Sequence, residues 1–211
     1  PLETATNTSL GSDSLAVHGG PLAVNNEAIG REALFSLTQG RYNTALGYAA
    51  LKFLDGDGVG FNGTRNTAVG SNTQRFNSLG YNNVSMGRNA LQCNTTGSDQ
   101  IALGVGAMSG SATIGFSGNI ENQTPSAGSA NVAAGTSTLE FTDSTMNAAF
   151  GYQAGRAIKK GSGNTAIGAQ ALMSLEANAA FNGRTITTVS KSPTYAFNGT
   201  SINLTLAAHG L

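Results

Sequence analysis

The stretch "DGDGVGFNGT", residues 55 to 64, places two carboxylates among glycines and so raises three chemistries. As a calcium loop it offers Asp55 and Asp57 at positions one and three and Gly60 at six, but Val59 fills the fifth ligand slot and Asn66 stands where a bidentate Glu is needed. As a phosphate loop it lacks the Gly-Lys-Ser/Thr ending and a following helix pattern. As a glycosidase pair, Asp55 and Asp57 would have to face each other across ~5 to 9.5 Å, and their flanking glycines suggest a flexible exposed loop instead. His18 and His209 are too far apart in sequence for a triad or a zinc pair, and there is no His-x-His or Cys-x-x-Cys spacing. The one cysteine, Cys93 after "NALQ", excludes an intrachain disulfide framework and reads as a small buried apolar residue. The expectation is a protein that is not an enzyme and that carries no metal and no cofactor.

Composition points the same way. Charged residues make up 10% of the chain, against ~25% in an average globular protein, and 29 of 211 residues are Gly. Solubility must then come from Asn, Ser, Thr and Gln. The formal net charge is zero, with no basic cluster beyond Lys159 and Lys160, which argues against nucleic acid or an anionic membrane as partner. No run approaches the ~20 apolar residues of a membrane span. The start at Pro1, with no signal-peptide pattern, suggests a fragment or processed piece.

What must position any functional residue is a repeat. "NTALGYAAL" at 43 to 51 returns as "NTAIGAQAL" at 164 to 172, with "NTAVGSNT" between them. The pattern Asn-x-Ala-apolar-Gly occurs nine times, ending at Gly11, Gly30, Gly47, Gly70, Gly87, Gly104, Gly135, Gly151 and Gly168. The gaps are 19, 17, 23, 17, 17, 31, 16 and 17 residues, the signature of a solenoid interrupted by surface insertions.

Each slot has a physical reading. The slot before Gly holds Leu10, Ile29, Leu46, Val69, Met86, Leu103, Phe150 and Ile167, with Ala134 the small exception, and is expected to face a core. The preceding slot is Ala seven times and Ser twice (Ser9, Ser85), which implies a crowded strand face. Asn opens eight copies and Gln100 the ninth. Asn suits a left-handed corner, and stacked amides can form a ladder. Gly then supplies the φ > 0 or close approach that ends the strand.

"GYAAL" and "GAQAL" look helix-friendly, but a turn of 17 residues leaves room for two short strands and two corners rather than a helix pair. The fold class expected is all-β, a parallel β-roll of ~17-residue repeats. So thin a roll cannot hide every apolar position, so a side-by-side homotrimer is expected to bury the remaining stripe. The roll is expected over 1–172, with insertions near 53–65, 110–130 and 140–146. The stretch 173–211 alternates polar and apolar residues and reads as the start of a second, truncated β module.

The series "NTALGYAAL", "NVSMGRNAL", "QIALGVGAM", "NAAFGYQAG" and "NTAIGAQAL" resembles repeats of bacteriophage tail-fibre proteins and, more distantly, the head repeats of trimeric autotransporter adhesins. The resemblance covers about residues 7 to 172. It implies a left-handed parallel β-roll, three copies of which associate around a threefold axis. It also implies a structural and receptor-binding part of a virion tail fibre, with a host-surface glycan or protein receptor and other fibre or tail proteins as partners. The alternatives are the head of a bacterial surface adhesin, placed on the cell surface, and a polysaccharide-degrading tailspike segment. Insertions escape the packing constraint and are where specificity is expected. Phe116 stands near Asn119, Asn122 and Gln123 in the longest insertion, and an aromatic ring beside amides is suited to a sugar. Phe53 and Phe61 form a second candidate set.

Overall fold

The computed structural model describes residues 6–16, 22–110, 129–142, 145–158 and 162–172, and the backbone of 174–175 and 185–187. Each repeat contributes one three-residue strand: β1 Thr8–Leu10, β2 Glu27–Ile29, β3 Thr44–Leu46, β4 Thr67–Val69, β5 Val84–Met86, β6 Ile101–Leu103, β7 Val132–Ala134, β8 Ala148–Phe150 and β10 Thr165–Ile167. Two-residue strands β9 Ala157–Ile158 and β11 Ser174–Leu175 and a last strand β12 Thr185–Thr187 complete the set. The ten longer strands form one parallel sheet in the order β1-β2-β3-β4-β5-β6-β7-β8-β10-β12. Register is strict, Ala over Ala: Ala28 pairs with Ala45 and Ala45 with Ala68. Strands repeating at ~4.8 Å make this face roughly 40 Å long. The all-β parallel solenoid of ~17-residue spacing is as expected from the sequence.

The interior lies behind the Ala slot, not behind the large apolar slot. Ala28, Ala45, Ala68, Ser85, Ala102, Ala133, Ala149 and Ala166 are at most 1% exposed, while the residues on either side of them in each strand point outward. The opposite leg supplies the bulk, four residues after each repeat glycine: Leu15, Leu34, Leu51, Leu91, Met108 and Leu139 are all buried. The distance between the two legs admits Leu against Ala and nothing larger, which is why the Ala slot never grows.

The opposite leg is not the second strand expected from the sequence, except at β9 and β11. Its residues alternate between ordinary and left-handed backbone. The second and fourth positions after the glycine have φ near +50 to +60°, as at Ala49 (53°), Leu51 (49°), Asn89 (60°) and Leu91 (50°). Alternation turns successive amides toward opposite neighbours: Ala49 N–H donates to Arg31 O below at 2.9 Å, and Leu51 N–H to Thr73 O above at 3.0 Å. "GYAAL" is therefore a stacked bend whose hydrogen bonds run between turns, and no helix occurs among the described residues.

At each strand end the repeat glycine has φ between +115° and +136°. A Cβ at Gly87 would lie 2.6 Å from the carbonyl oxygen of Gly104 in the next turn. Both the left-handed torsion and the close approach require glycine there. The Asn slot forms the amide ladder: Asn43 Nδ2 and N each donate to Asn26 Oδ1 at 3.0 Å, and Asn66 N to Asn43 Oδ1 at 2.9 Å. The left-handed corner residue is, however, the one before it, as at Tyr42 (59°), Arg65 (56°) and Asp99 (58°). A second glycine column, Gly40, Gly63, Gly80 and Gly97, offers its carbonyls to the same amides at 2.9 Å.

The core is apolar at both ends and polar in the middle. One cluster runs from Leu15 to Ala68 and the other from Ala90 to Ala171. Between them, Gln74 takes the place of Leu and donates to Ser85 Oγ at 2.7 Å, while Asn77 donates to Gln74 Oε1 at 3.3 Å. Gln100, one methylene longer than the Asn it replaces, donates to Asn94 Oδ1 at 3.1 Å. Two of the exceptions, Ser85 and Gln100, thus each answer a polar residue inside the roll.

Strand pairing extends past residue 172, β12 with β10 and β11 with β9. Residues 140–142 lie in register with the next turn, with Phe141 N–H on Arg156 O at 2.8 Å and Thr142 buried.

Candidate functional site

The strand alternation that buries Ala presents its neighbours to the outside. Leu10, Ile29, Leu46, Met86, Leu103, Phe150 and Ile167 are 39 to 68% exposed, and Val69 is half-buried. This corrects the expectation that the slot faces the core of its own chain: the interior holds only alanine there, so the larger side chain has to lie on the outer face. Eight of the nine repeats carry such a residue, Ala134 being the small exception, and together they make an apolar column down the outer face of the sheet. It widens from β5 to β7, where Val84 and Ile101 stand exposed and Val132 half-buried beside it, in place of Thr44 and Thr67.

The insertion between the third and fourth repeats leaves the roll at Gly56 and rejoins it at Gly63. A Cβ at Gly63 would sit 2.8 Å from Gly56 Cα, so the loop closes at its neck. Residues 57 to 62 project from that neck. The loop is exposed, as its glycines suggested, but it is braced. Asp57 accepts Val59 N–H at 2.9 Å and Asn62 Nδ2 at 2.9 and 3.0 Å. The Val59 bond, then the Asn62 bond, hold the Asp57 carboxyl below its ordinary value. Asp55 accepts the Thr38 hydroxyl. The two carboxylates thus serve different partners, and no group of three potential metal ligands occurs among the described residues.

Phe61 is half-exposed at the loop's end, with the Arg65 guanidinium carbon 4.4 Å from its ring centre and Tyr81 6.2 Å away at a tilt. Phe53 is placed elsewhere. On the opposite leg it stacks on Phe76 at 5.5 Å, with Arg75 beside both rings. Lys52 there bonds Glu32 at 2.9 Å, which lowers the Glu32 pKa. Phe53 and Phe61 therefore belong to separate clusters. Phe116, Asn119, Asn122 and Gln123 lie outside the described residues.

Sequence reasoning missed Arg65, Tyr81 and the brace formed by Asn62. Arg65 was legible as the corner position before the Asn slot, which Tyr42 holds in the preceding repeat; Tyr81 stands one place further from that slot, before Asn82, and carried no such signal. Cys93 is buried, and burial pushes its thiol up to about 11. Comparison with protein-family models, with curated proteins and with solved structures finds no match.

Proposed function

We propose that this chain is a structural and receptor-binding segment of a phage tail fibre, assembled as a side-by-side homotrimer that attaches the virion to a host surface. The observation that carries the reading is the outward column from Leu10 to Ile167 on a parallel sheet face roughly 40 Å long. An exposed apolar stripe of that length marks an association surface. A solenoid presents it along its length, which three copies can close around a shared axis. The repeat glycines set the close approach of successive turns along it.

A non-catalytic role is the reading for the described carboxylates, since each accepts a hydrogen bond or ion pair within the roll or its loops: Glu32 from Lys52, Glu140 from Arg156, Asp99 from Asn82, Asp55 from Thr38, Asp57 from its own loop, and at the surface Asp13 from Ser12 and Glu27 from Thr44. The reading extends to partners that are a host-surface glycan or protein receptor and neighbouring fibre or tail proteins. An antibody raised against the chain tests it by immunogold microscopy of phage and cells from the source culture. Label on tail fibres is expected. Label confined to the bacterial envelope would overturn the assignment in favour of a surface adhesin head.

A further inference from the structure

We propose that the 57–62 loop, with Arg65 and Tyr81, is a binding site for a carboxylate-bearing sugar. The proposal rests on the reading of this chain as a surface-binding segment and names the ligand class of one of its loops. Three observations converge. First, the loop contributes nothing to the roll's interior: Gly58, Val59, Gly60 and Phe61 are all exposed, yet Asp57 and Asn62 hold the loop in one shape. An insertion that packs no core but is internally braced has the form of a preorganised recognition loop.

Second, Arg65 lies over the ring of Phe61 and has no carboxylate within ion-pair reach among the described residues, a condition it shares with Arg41, Arg75 and Arg88, but of these it alone stands over a ring of the braced loop. The obvious anion, Asp57, is occupied by Val59 and Asn62. A guanidinium over a ring, its carbon 4.4 Å from the centroid, can still direct N–H donors away from the ring, and such a fork matches a carboxylate. Third, the half-exposed Phe61 ring has a guanidinium on one side and a tilted tyrosine 6.2 Å away, a group of three side chains rather than an extended surface. A protein partner needs about 800 Å² on each side. A pyranose can lay its C–H face on an aromatic ring while its carboxylate meets the arginine.

The test uses the full chain and three probes: short oligosaccharides of galacturonic acid, of glucuronic acid and of sialic acid, each paired with its methyl ester. Saturation-transfer NMR and titration calorimetry at low salt are expected to show binding of at least one acid, with its ester about tenfold weaker or worse. Arg65→Gln should remove the preference for acid over ester, and Phe61→Ala should weaken acid and ester alike. Sedimentation and melting of both variants should match wild type, because neither side chain enters the interior. Absence of binding to all three acids, equal binding of acids and esters, or wild-type preference in Arg65→Gln would each overturn the proposal. None of those results would alter the assembly state or the immunogold pattern, so the broader reading stands or falls separately.

Discussion

Replacing Gln74 by Leu would restore the residue that this position carries in most other turns, yet it is expected to destabilise the protein. Gln74 is fully buried, and its amide donates to Ser85 Oγ at 2.7 Å and to Thr67 O at 3.0 Å while its oxygen accepts from Asn77. Leu leaves the buried Ser85 hydroxyl with only its long bond to Thr67 O at 3.4 Å and removes one of two acceptors of Asn77, which retains Gly80 O at 3.2 Å. An abandoned buried polar group costs about 1 to 3 kcal/mol, and the added apolar burial returns about 1 to 2. The single variant should therefore be weaker by about 1 kcal/mol per chain. Ser85→Ala alone should cost a similar amount, because Gln74 loses its shorter bond. The double variant Gln74→Leu/Ser85→Ala recreates the combination found at the equivalent positions Leu34 and Ala45, which share one core cluster, and should recover most of the loss. Guanidinium unfolding followed by circular dichroism, at one fixed chain concentration, reads the cycle. A favourable coupling of about 1 to 2 kcal/mol is expected, and additivity within about 0.3 kcal/mol would refute the claim that the two residues answer each other inside the roll.

Gly87→Ala places a methyl 2.6 Å from the Gly104 carbonyl oxygen at φ +128°, and should cost about 1 to 3 kcal/mol per chain. Gly60→Ala, at φ +59° with open space around it, should cost about 1 kcal/mol; equal losses of melting temperature would contradict the distinction between scaffold and loop. Cys93 is buried with its pKa raised to about 11, so an alkylating reagent near neutral pH should label it only in denaturant. Rapid labelling of the folded protein would place the thiol outside the roll. Glu32 is held below its ordinary 4.5, first by the Lys52 bond. Its contribution is complete above that value and is lost as pH falls through the lowered one. Glu32→Gln should flatten the acid side of the melting curve, and an unchanged slope between about pH 5 and 3 would count against the pair.

The period, the repeat glycines and the amide ladder were legible in the sequence because they recur in the same slot whatever the turn. The burial of the strand was legible only in part. An apolar residue next to alanine says that two faces differ, but not which faces the opposite leg, and hydrophobicity favoured the larger side chain at Leu46 over Ala45. The decisive quantity is the width of the roll, which Ala45 and Leu51 share. Leu at the fourth place after glycine recurs with the same period, as at Leu15, Leu34, Leu51, Leu91 and Leu139, and is the signal in the sequence that marks the interior. Ser85 and Gln100 looked like noise along the chain; their partners Gln74 and Asn94 become neighbours only when the turns stack. The recognition loop was half legible. Phe61 stands out in sequence, while the Asp57 brace and the stacking of Arg65 depend on closure of the loop at Gly56 and Gly63.

The central claim is that the outward column from Leu10 to Ile167 is an interface between copies of this chain, and sedimentation equilibrium tests it most directly. At micromolar concentration the wild type should sediment at three times the 21.3 kDa of one chain. Leu46→Asp, on a side chain 44% exposed in the single chain, should abolish that species while leaving a monomer's own core untouched. A folded wild-type monomer at that concentration, or a Leu46→Asp variant that still forms the wild-type assembly, would contradict the account.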